Sequence, residues 1–357
     1  MQNLHQLEYI MLLLIGSIVL GFGLAQISLK IAPKVGLMDI PGSADHKKHQ
    51  NPIPLTGGVV LMDTMIVMIL LTKMWGDAHI WAIFVSGMII GLFGLMDDYF
   101  HLSVTKKLIG QIFGITMLIY LGVQVQFFNS PEFLLQIEEP WASWLNIIFT
   151  FLWLLTVTNS FNFIDSIDGL AVGLSGVSAG FFLLLAFATG QMSLIFLCTV
   201  ILGICIALYL FNSQPASLFL GDSGAQFLGF LLASVAIIYH PEIGSQGSSW
   251  FMPILIFSVP LFDMILVVFS RIKRHKKIHK ASRDHTYHRL EQRGIPIHHS
   301  VLIMHGTSLL LSMIGFLCLN LPVLHANIIF GLIVLLGLGA FTILDQKFMV
   351  MLLIWDI

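Results

Sequence analysis

About eleven apolar stretches, each long enough to cross a lipid bilayer, follow one another along the chain. A membrane-spanning helix needs about 20 predominantly apolar residues, and 57% of the 357 residues are hydrophobic while only 10% are charged. Because lipid cannot satisfy unpaired backbone polar groups, such stretches are expected to be helices. The sequence therefore predicts an all-α, polytopic membrane bundle that forms one domain over residues 1–357. The predicted spans are 9–29, 55–73, 79–96, 108–126, 144–160, 169–189, 192–212, 224–240, 250–270, 300–320 and 324–344.

The basic residues predict the orientation of this bundle. If the N-terminus lies outside, only Lys73 of the 17 Lys and Arg residues falls on the outside, which is the asymmetry expected of a membrane protein with basic cytoplasmic loops. The first span has no Lys or Arg before it, so it is expected to stay as an N-out helix rather than act as a cleaved signal peptide. The predicted cytoplasmic segments are 30–54, 97–107, 161–168, 213–223, 271–299 and the tail from 345.

Composition excludes two other kinds of protein. The net charge of −2 offers no basic field for binding nucleic acid. The cysteines, Cys198, Cys205 and Cys318, all lie within predicted spans without metal-ligand spacing, so neither a disulfide framework nor a zinc site is indicated.

Carboxylates collect at the predicted inside ends of the helices. Asp97 and Asp98 close the third span, and two adjacent acids repel one another unless a cation lies between them. Mg²⁺ favours a few carboxylates together with phosphate and water oxygens, so this pair is a candidate metal site. A solvated helix end is the alternative.

The second polar group lies between the fifth and sixth spans. Asn159, Asn162, Asp165 and Asp168 recur every three residues, which would align them on one face of a helical segment. Such a face could bind a cation or a sugar nucleotide. Helix capping is the alternative, although capping needs only one such residue.

The third group is the sequence from Phe219 to Gly224, immediately before the eighth span. Glycines flanking Asp222 would let the backbone approach a phosphate closely, with amide donors at a helix N-terminus. Asp222 would then be placed to hold a metal ion that bridges phosphates. Alternatively, Asp222 is an ordinary N-cap.

Two loops add basic residues. The segment 282–290 mixes Arg, Asp and His closely, as a site that handles phosphate charge would. In the first loop, Lys47 and Lys48 could meet an anionic lipid headgroup. The positive-inside rule alone would also explain these lysines, but it leaves Asp39 in the same loop unexplained.

Two acids lie inside predicted spans, Asp63 and Asp263. Buried acids in membranes are costly and usually functional, so these two could mark a proton path. A proton-coupled secondary transporter is therefore an alternative function, although transporters place polar residues near the midplane rather than at one membrane face. An inactive scaffold for envelope assembly is a further alternative.

Taken in order, these motifs resemble the polyprenyl-phosphate N-acetylhexosamine-1-phosphate transferase family over about residues 36–293. The resemblance implies that Asp97 and Asp98 bind metal and activate the lipid phosphate, and that Asp222 is a metal ligand. It implies Mg²⁺ as the cofactor, with Mn²⁺ as an alternative ion. The other implied catalytic residues are Asp165, His285 and His288, and the implied substrate-binding residues are Asp39, Lys47, Asn162, Asp168, Phe219, Arg283 and Arg289.

The implied reaction transfers N-acetylglucosamine 1-phosphate from a UDP-sugar to undecaprenyl phosphate, releasing UMP. Its product would be the first lipid-linked intermediate of a cell-envelope polysaccharide such as lipopolysaccharide. The expected location is a bacterial inner membrane with the active site facing the cytoplasm, and a homodimer is one expected assembly. Tyr287 occupies a place that histidine usually holds in this family, which favours a simple UDP-N-acetylhexosamine over UDP-MurNAc-pentapeptide as the donor.

Overall fold

Helices account for nearly all regular structure in the computed structural model, which describes residues 2–41, 51–130, 137–240, 246–276 and 283–355. This confirms the predicted all-α class. The helices are α1 (Gln2–Val35), α2 (Gly57–Thr72), α3 (Ala78–Phe100), α4 (Val104–Tyr120), α5 (Trp141–Ile164), α6 (Leu170–Thr189), α7 (Met192–Asn212), α8 (Gly221–Ile238), α9 (Gln246–Ser249), α10 (Met252–Ile256), α11 (Ser258–Lys273), α12 (Thr286–Glu291), α13 (Ile297–Cys318) and α14 (Val323–Trp355).

Within the described ranges, eight helices are long and apolar enough to cross a membrane: α1, α3, α5, α6, α7, α8, α13 and α14. The chain is thus a multi-pass membrane protein. Two other predicted spans form shorter helices, α2 with 16 residues and α4 with 17. The predicted count of eleven spans and the N-out orientation stay predictions.

The predicted span 250–270 is wrong as a single helix. The structure divides this segment into α10, which ends at Ile256, and α11, which begins at Ser258. Pro260 explains the break, because proline lacks the N–H that would bond to the carbonyl of Ile256 and its ring would clash with that carbonyl. The interruption sets the start of the helix that carries Asp263.

The described chain forms two compact units, Met1–Glu242 and Ile243–Ile357. In the first unit α3 and α5 pack against α8, while α1 and α6 pack against α7. α8 is the most thoroughly buried of the eight long apolar helices. In the second unit α10 packs against α13, and the ring of Phe251 stacks on that of Phe330 with centroids 4.7 Å apart. The single transferase domain stays a prediction.

One end of the first unit gathers segments that are distant in sequence. Two short strands, β1 (Met38–Asp39) and β2 (Ile53–Pro54), pair antiparallel there. The amide of Phe219 donates to the carbonyl of Pro54 at 2.8 Å, and the amide of Gly57 donates to the carbonyl of Phe219 at 3.0 Å. These contacts bring the end of the first predicted inside loop together with the segment that leads into α8.

Candidate functional site

The close crossing of α3 and α8 forms the base of the site. A Cβ placed on Gly94 of α3 would lie 2.6 Å from Cα of Ser223, so only glycine allows this approach. Asp98 accepts three hydrogen bonds at the start of α8: from the amide of Asp222 at 2.7 Å, and from the amide and hydroxyl of Ser223 at 3.1 and 2.6 Å. Asp98 therefore caps α8, whose positive dipole end favours a carboxylate.

Gly221 completes this cap. Its φ of +70° lies in the left-handed region, and a Cβ at this position would come within 2.6 Å of a carboxylate oxygen of Asp98. Glycine is needed here for both reasons. The Gly-Asp-Ser-Gly sequence is thus explained in part by how α8 meets α3.

A lysine lies between two of the predicted metal-binding acids. The Nζ of Lys107 is 2.5 Å from Oδ2 of Asp97, and it also forms an ion pair with Asp222. The amide group of Asn162 donates to Oδ1 of Asp222 at 3.0 Å. Asp97, Asp222, Asn162 and Lys107 therefore form one cluster drawn from four segments of the chain. Sequence reasoning missed Lys107 as a site residue, because a lysine in a predicted inside loop is expected from the positive-inside rule alone.

One oxygen of this cluster has no protein partner among the described residues: Oδ1 of Asp97 is buried and accepts no hydrogen bond. Buried polar groups are nearly always paired, so this carboxylate oxygen is suited to a cation or a water as its partner. Within the described ranges no three His, Cys, Asp or Glu side chains are grouped closely enough to hold a metal ion. The two carboxylates and one amide oxygen available here are nevertheless of the type that Mg²⁺ takes, with the remaining ligands coming from water and phosphate.

Asp165 follows directly after α5 and adds a further acid. Burial and the charges of Asp222, Asp98 and Asp168 raise the pKa of its carboxyl well above the ordinary range. The shift means that the protonated form is favoured unless a cation compensates the neighbouring carboxylates. Asp165 is therefore electrostatically part of the same cluster.

The loop after α5 is tied to the loop before α8. Oδ2 of Asp168 accepts a hydrogen bond from the amide of Ala216 at 3.0 Å. Asn212 holds both loops, since its Oδ1 accepts from the amide of Gly169 at 3.1 Å and its Nδ2 donates to the carbonyl of Leu218 at 2.9 Å. Phe219, half-buried, follows in the same loop. The predicted nucleotide contacts Asp168 and Phe219 thus lie on connected loops.

Asp39 and Lys47 were predicted to serve the same site. Asp39 lies in β1 and pairs with Ile53 of β2. The residue after Ile53 is Pro54, whose carbonyl accepts the hydrogen bond from the amide of Phe219. Lys47 lies outside the described residues, and its role stays a prediction.

A layer of three amide side chains lies one helical turn deeper than the charged cluster. Nε2 of Gln111 donates to Gln226 at 2.9 Å, and Nδ2 of Asn159 donates to Gln111 at 2.9 Å. Gln111 is on the same helix as Lys107, and Gln226 is on the same helix as Asp222. The amide layer therefore links the three helices α4, α5 and α8 beneath the charged cluster.

The second unit holds the predicted histidines. His285 is buried, its Nδ1 lies 2.8 Å from Oδ2 of Asp263, and its ring lies 5.5 Å from the ring of Tyr287 with 7° between their planes. The pKa of His288 is lowered to about 4, mainly by burial and in addition by the charges of His285 and Arg283. His288 is therefore neutral near pH 7, and its buried Nδ1 has no hydrogen-bond partner among the described residues.

The two predicted arginines differ sharply in exposure. Arg283 is exposed, but only 1% of the Arg289 surface is accessible. The guanidinium of Arg289 donates to the hydroxyl of Ser270, to the carbonyls of Asp284 at 2.8 Å and Leu344 at 3.2 Å, and to Asp345 at 3.3 Å. The geometry therefore favours a structural role over the predicted substrate contact, because these internal partners occupy the guanidinium.

Comparison with known proteins identifies the class of this chain. The model of glycosyl transferase family 4 matches residues 80–240. A phospho-N-acetylmuramoyl-pentapeptide-transferase of Listeria monocytogenes serovar 1/2a is 30% identical over 262 residues, covering 67% of this chain and 77% of the relative. The chain belongs to glycosyl transferase family 4.

Other members of glycosyl transferase family 4 that are similar to this chain carry a different name. A probable undecaprenyl-phosphate N-acetylglucosaminyl 1-phosphate transferase of Bacillus subtilis strain 168 is 29% identical over 276 residues, covering 77% of this chain and 75% of the relative. An undecaprenyl-phosphate alpha-N-acetylglucosaminyl 1-phosphate transferase of Yersinia pestis is 28% identical over 302 residues, covering 80% of this chain and 78% of the relative. The range that matches the family 4 model runs from the third residue of α3 to the end of α8, and it includes the whole charged cluster and the amide layer.

Proposed function

We propose that the chain transfers an N-acetylhexosamine 1-phosphate from a UDP-sugar to polyprenyl phosphate, releasing UMP. The family and the names of the relatives support a phosphosugar transferase of this kind. The structural observation that carries the proposal is the cluster of Asp97, Lys107, Asn162 and Asp222 at one end of the first unit. The relatives are named as transferases, which favours an enzyme over the transporter alternative.

In the proposed reaction, a phosphate oxygen of the lipid attacks the β-phosphorus of the UDP-sugar. The bond between the β-phosphorus and the bridging oxygen breaks, and UMP leaves with the electron pair. Three anionic phosphates approach one another, so charge compensation is the main catalytic requirement. Lys107, held by Asp97 and Asp222, supplies a positive charge within the cluster.

The residues suited to hold Mg²⁺ are Asp97 and Asp222, with the Asn162 side chain orienting Asp222. A bound Mg²⁺ would polarise a phosphate oxygen and offset its charge. Asp98 is not assigned as a metal ligand here, because both its oxygens accept hydrogen bonds from the start of α8. Its part is to place Asp222.

Asp97 has a second candidate role, as the base that takes the last proton from the lipid phosphate. Its buried, unpaired oxygen is compatible with either role. At neutral pH the phosphate monoester is already largely ionised, since its second pKa is about 6. We therefore favour the electrostatic role for Asp97.

UDP-N-acetylglucosamine is the donor we propose first, with UDP-MurNAc-pentapeptide as the alternative. In the histidine segment of the second unit, a buried phenol ring, that of Tyr287, stacks on His285 in place of a third imidazole. We also propose that the active site faces the cytoplasm from a bacterial inner membrane, because the charged cluster lies on segments predicted to be inside.

The test is a donor panel with purified protein and undecaprenyl phosphate. UDP-N-acetylglucosamine, UDP-N-acetylgalactosamine and UDP-MurNAc-pentapeptide are supplied separately with Mg²⁺, Mn²⁺ or EDTA, and both UMP and the lipid product are measured. We expect product with a UDP-N-acetylhexosamine, loss of product with EDTA, and at least about a 10²-fold lower rate for Asp222→Asn. Absence of UMP with every donor would refute the transferase, and full activity in EDTA would refute the metal.

A further inference from the structure

A buried aspartate in the second unit, Asp263, contacts His285 but has no role in the reaction as proposed. Asp263 lies in α11 with no accessible surface. Its Oδ2 is 2.8 Å from Nδ1 of His285, and its Oδ1 accepts the backbone N–H of Thr286 at 2.6 Å. Because an ionised carboxylate only accepts hydrogen bonds, the proton of this contact belongs to Nδ1 of His285.

The contact fixes the imidazole of His285 in one orientation. With Nδ1 directed at Asp263, Nε2 lies on the opposite edge of the ring. The ring of Tyr287 lies nearly parallel to the imidazole of His285, with the two centroids 5.5 Å apart. It restricts rotation of the imidazole about its Cβ–Cγ bond. The aspartate thus determines both the tautomer of His285 and the direction in which its second nitrogen points, as a hydrogen-bonded carboxylate does for other functional histidines.

The segment around His285 also holds a polar atom that needs a partner. Nδ1 of His288 is buried and forms no hydrogen bond with the described residues, whereas the hydroxyl of Thr286 lies beside the carboxylate of Asp263. A buried polar group without a partner is costly, so the segment is suited to a ligand with hydrogen-bonding oxygens. A phosphate or diphosphate group has this chemistry.

We propose that Asp263 is a positioning residue that holds His285 with Nδ1 protonated, so that Nε2, after taking a second proton from solvent water, donates a hydrogen bond to a phosphate oxygen of the UDP-sugar. The carboxylate then compensates the positive charge of the imidazolium. This inference rests on the proposed function and deepens it, because it assigns a role in the reaction to Asp263, which lies inside a predicted span. A positioning role explains this acid without a proton path.

The substitution Asp263→Asn separates positioning from folding. Asparagine has nearly the same shape, and its carbonyl oxygen can still accept from the backbone of Thr286. Its amide would then face Nδ1 of His285 as a donor, which forces the imidazole to carry its proton on Nε2. The fold is kept while the tautomer is reversed.

The first measurement is the ¹⁵N spectrum of the ring nitrogens in full-length protein at about pH 9, above the ordinary histidine pKa of about 6.5. Subtracting the spectrum of His285→Gln identifies the signals of His285 among the 14 histidines. We expect Nδ1–H in the unmodified protein and Nε2–H in Asp263→Asn. The second measurement is kinetic: kcat should fall on the order of 10²-fold while KM for the UDP-sugar stays nearly unchanged.

Asp63→Asn is the matched control, since Asp63 is the other acid inside a predicted span and lies exposed on α2. It should change neither the spectrum of His285 nor kcat. An unchanged tautomer in Asp263→Asn, or a reversed tautomer with full kcat, would overturn the proposal. If the unmodified protein releases no UMP, the proposed function fails, and the ring-nitrogen spectra alone then decide whether Asp263 sets the tautomer.

Discussion

Two neighbouring aspartates do different work because adjacent residues on a helix point about 100° apart. Asp98 faces the start of α8 and accepts three hydrogen bonds there. Asp97 faces Lys107 and keeps one buried oxygen without a protein partner among the described residues. The two adjacent aspartates therefore have different roles, since Asp98 caps α8 and Asp97 is a candidate catalytic residue.

We expect Asp97→Asn and Asp98→Asn to differ in stability. Asp98→Asn replaces one carboxylate oxygen with an NH₂ group that would face the backbone N–H groups at the start of α8. Two donors would then face each other, so the substitution should lower the unfolding free energy by about 1–2 kcal/mol. Asp97→Asn should leave thermal stability nearly unchanged and reduce the transfer rate by about 10²-fold or more. Thermal unfolding in detergent and the UMP assay measure the two effects.

Asp77→Asn provides the control for this pair. Asp77 caps the other end of the same helix and accepts from the amide of Ile80 at 3.0 Å. Asparagine is about as good an N-cap as aspartate, and the hydroxyl of Ser193, which donates to Oδ2 of Asp77, can rotate to accept from an amide instead. Neither stability nor activity should therefore change appreciably. Equal stability of Asp97→Asn and Asp98→Asn would contradict the division of roles.

The raised pKa of Asp165 predicts a pH dependence of stability. The folded chain favours the protonated carboxyl, whereas the unfolded chain releases this proton above about pH 4. The unfolded state therefore gains stability relative to the folded state as the pH rises from about 4 toward the folded pKa. Asp165→Asn removes this titration, so its melting temperature should exceed that of the unmodified protein at pH 7, with the difference shrinking toward pH 4. A difference that is the same at both pH values would refute this assignment.

At the scale of helices, the amide layer holds α4, α5 and α8 in register. Its side chains, Gln111, Asn159 and Gln226, lie deeper in the helices than the charged cluster and form hydrogen bonds with one another where the three helices meet. Low local polarity strengthens such bonds and makes unpaired members costly. The amide layer therefore fixes the three helices relative to one another, and with them the positions of the charged side chains one turn away.

We expect Gln111→Leu to destabilise the protein by about 1–3 kcal/mol, because Asn159 and Gln226 would each lose a buried partner. Activity should fall as well, since Lys107 lies one turn away on the same helix. Gln126→Leu, at an exposed position in the loop after α4, is the control and should change neither property. Normal stability of Gln111→Leu in chemical unfolding would show that the amides do not couple the helices.

At the scale of the whole molecule, charge asymmetry and helix ends agree within the first unit. Segments predicted to be inside meet at one end, where Phe219 bonds to Pro54 and Asp98 to Ser223. The predicted outside ends are also connected, since the hydroxyl of Ser193, at the start of the predicted span 192–212, donates to Asp77 at 2.5 Å. The predicted sidedness rests on the distribution of Lys and Arg.

Cysteine labelling tests this sidedness. The native cysteines, Cys198, Cys205 and Cys318, are buried and can be replaced by alanine. In that background, Gln126→Cys should react with a membrane-impermeant maleimide in intact cells, whereas Ser103→Cys should react only after permeabilisation. Both positions are exposed, so the opposite labelling pattern would reverse the predicted orientation.

The sequence by itself determined the membrane class, the approximate helices and the residues around which the site is built. Apolar length and the placement of Lys and Arg are local properties that act through the solvent, so they can be read without knowing the packing. The same rules gave one span over 250–270 where the structure has α10 and α11, because a proline in an apolar run still counts as part of a long hydrophobic stretch; Pro260 before Asp263 was the sequence signal for a helix break.

Only the tertiary structure decided which side chains pair. Lys107 and Asp222 are 115 positions apart, and Asp98 and Asp222 are 124 apart. The same holds for Asp263 beside His285 and for the internal partners of Arg289. These contacts depend on helix rotation and close packing, which arise from the summed fit of many side chains rather than from any short motif.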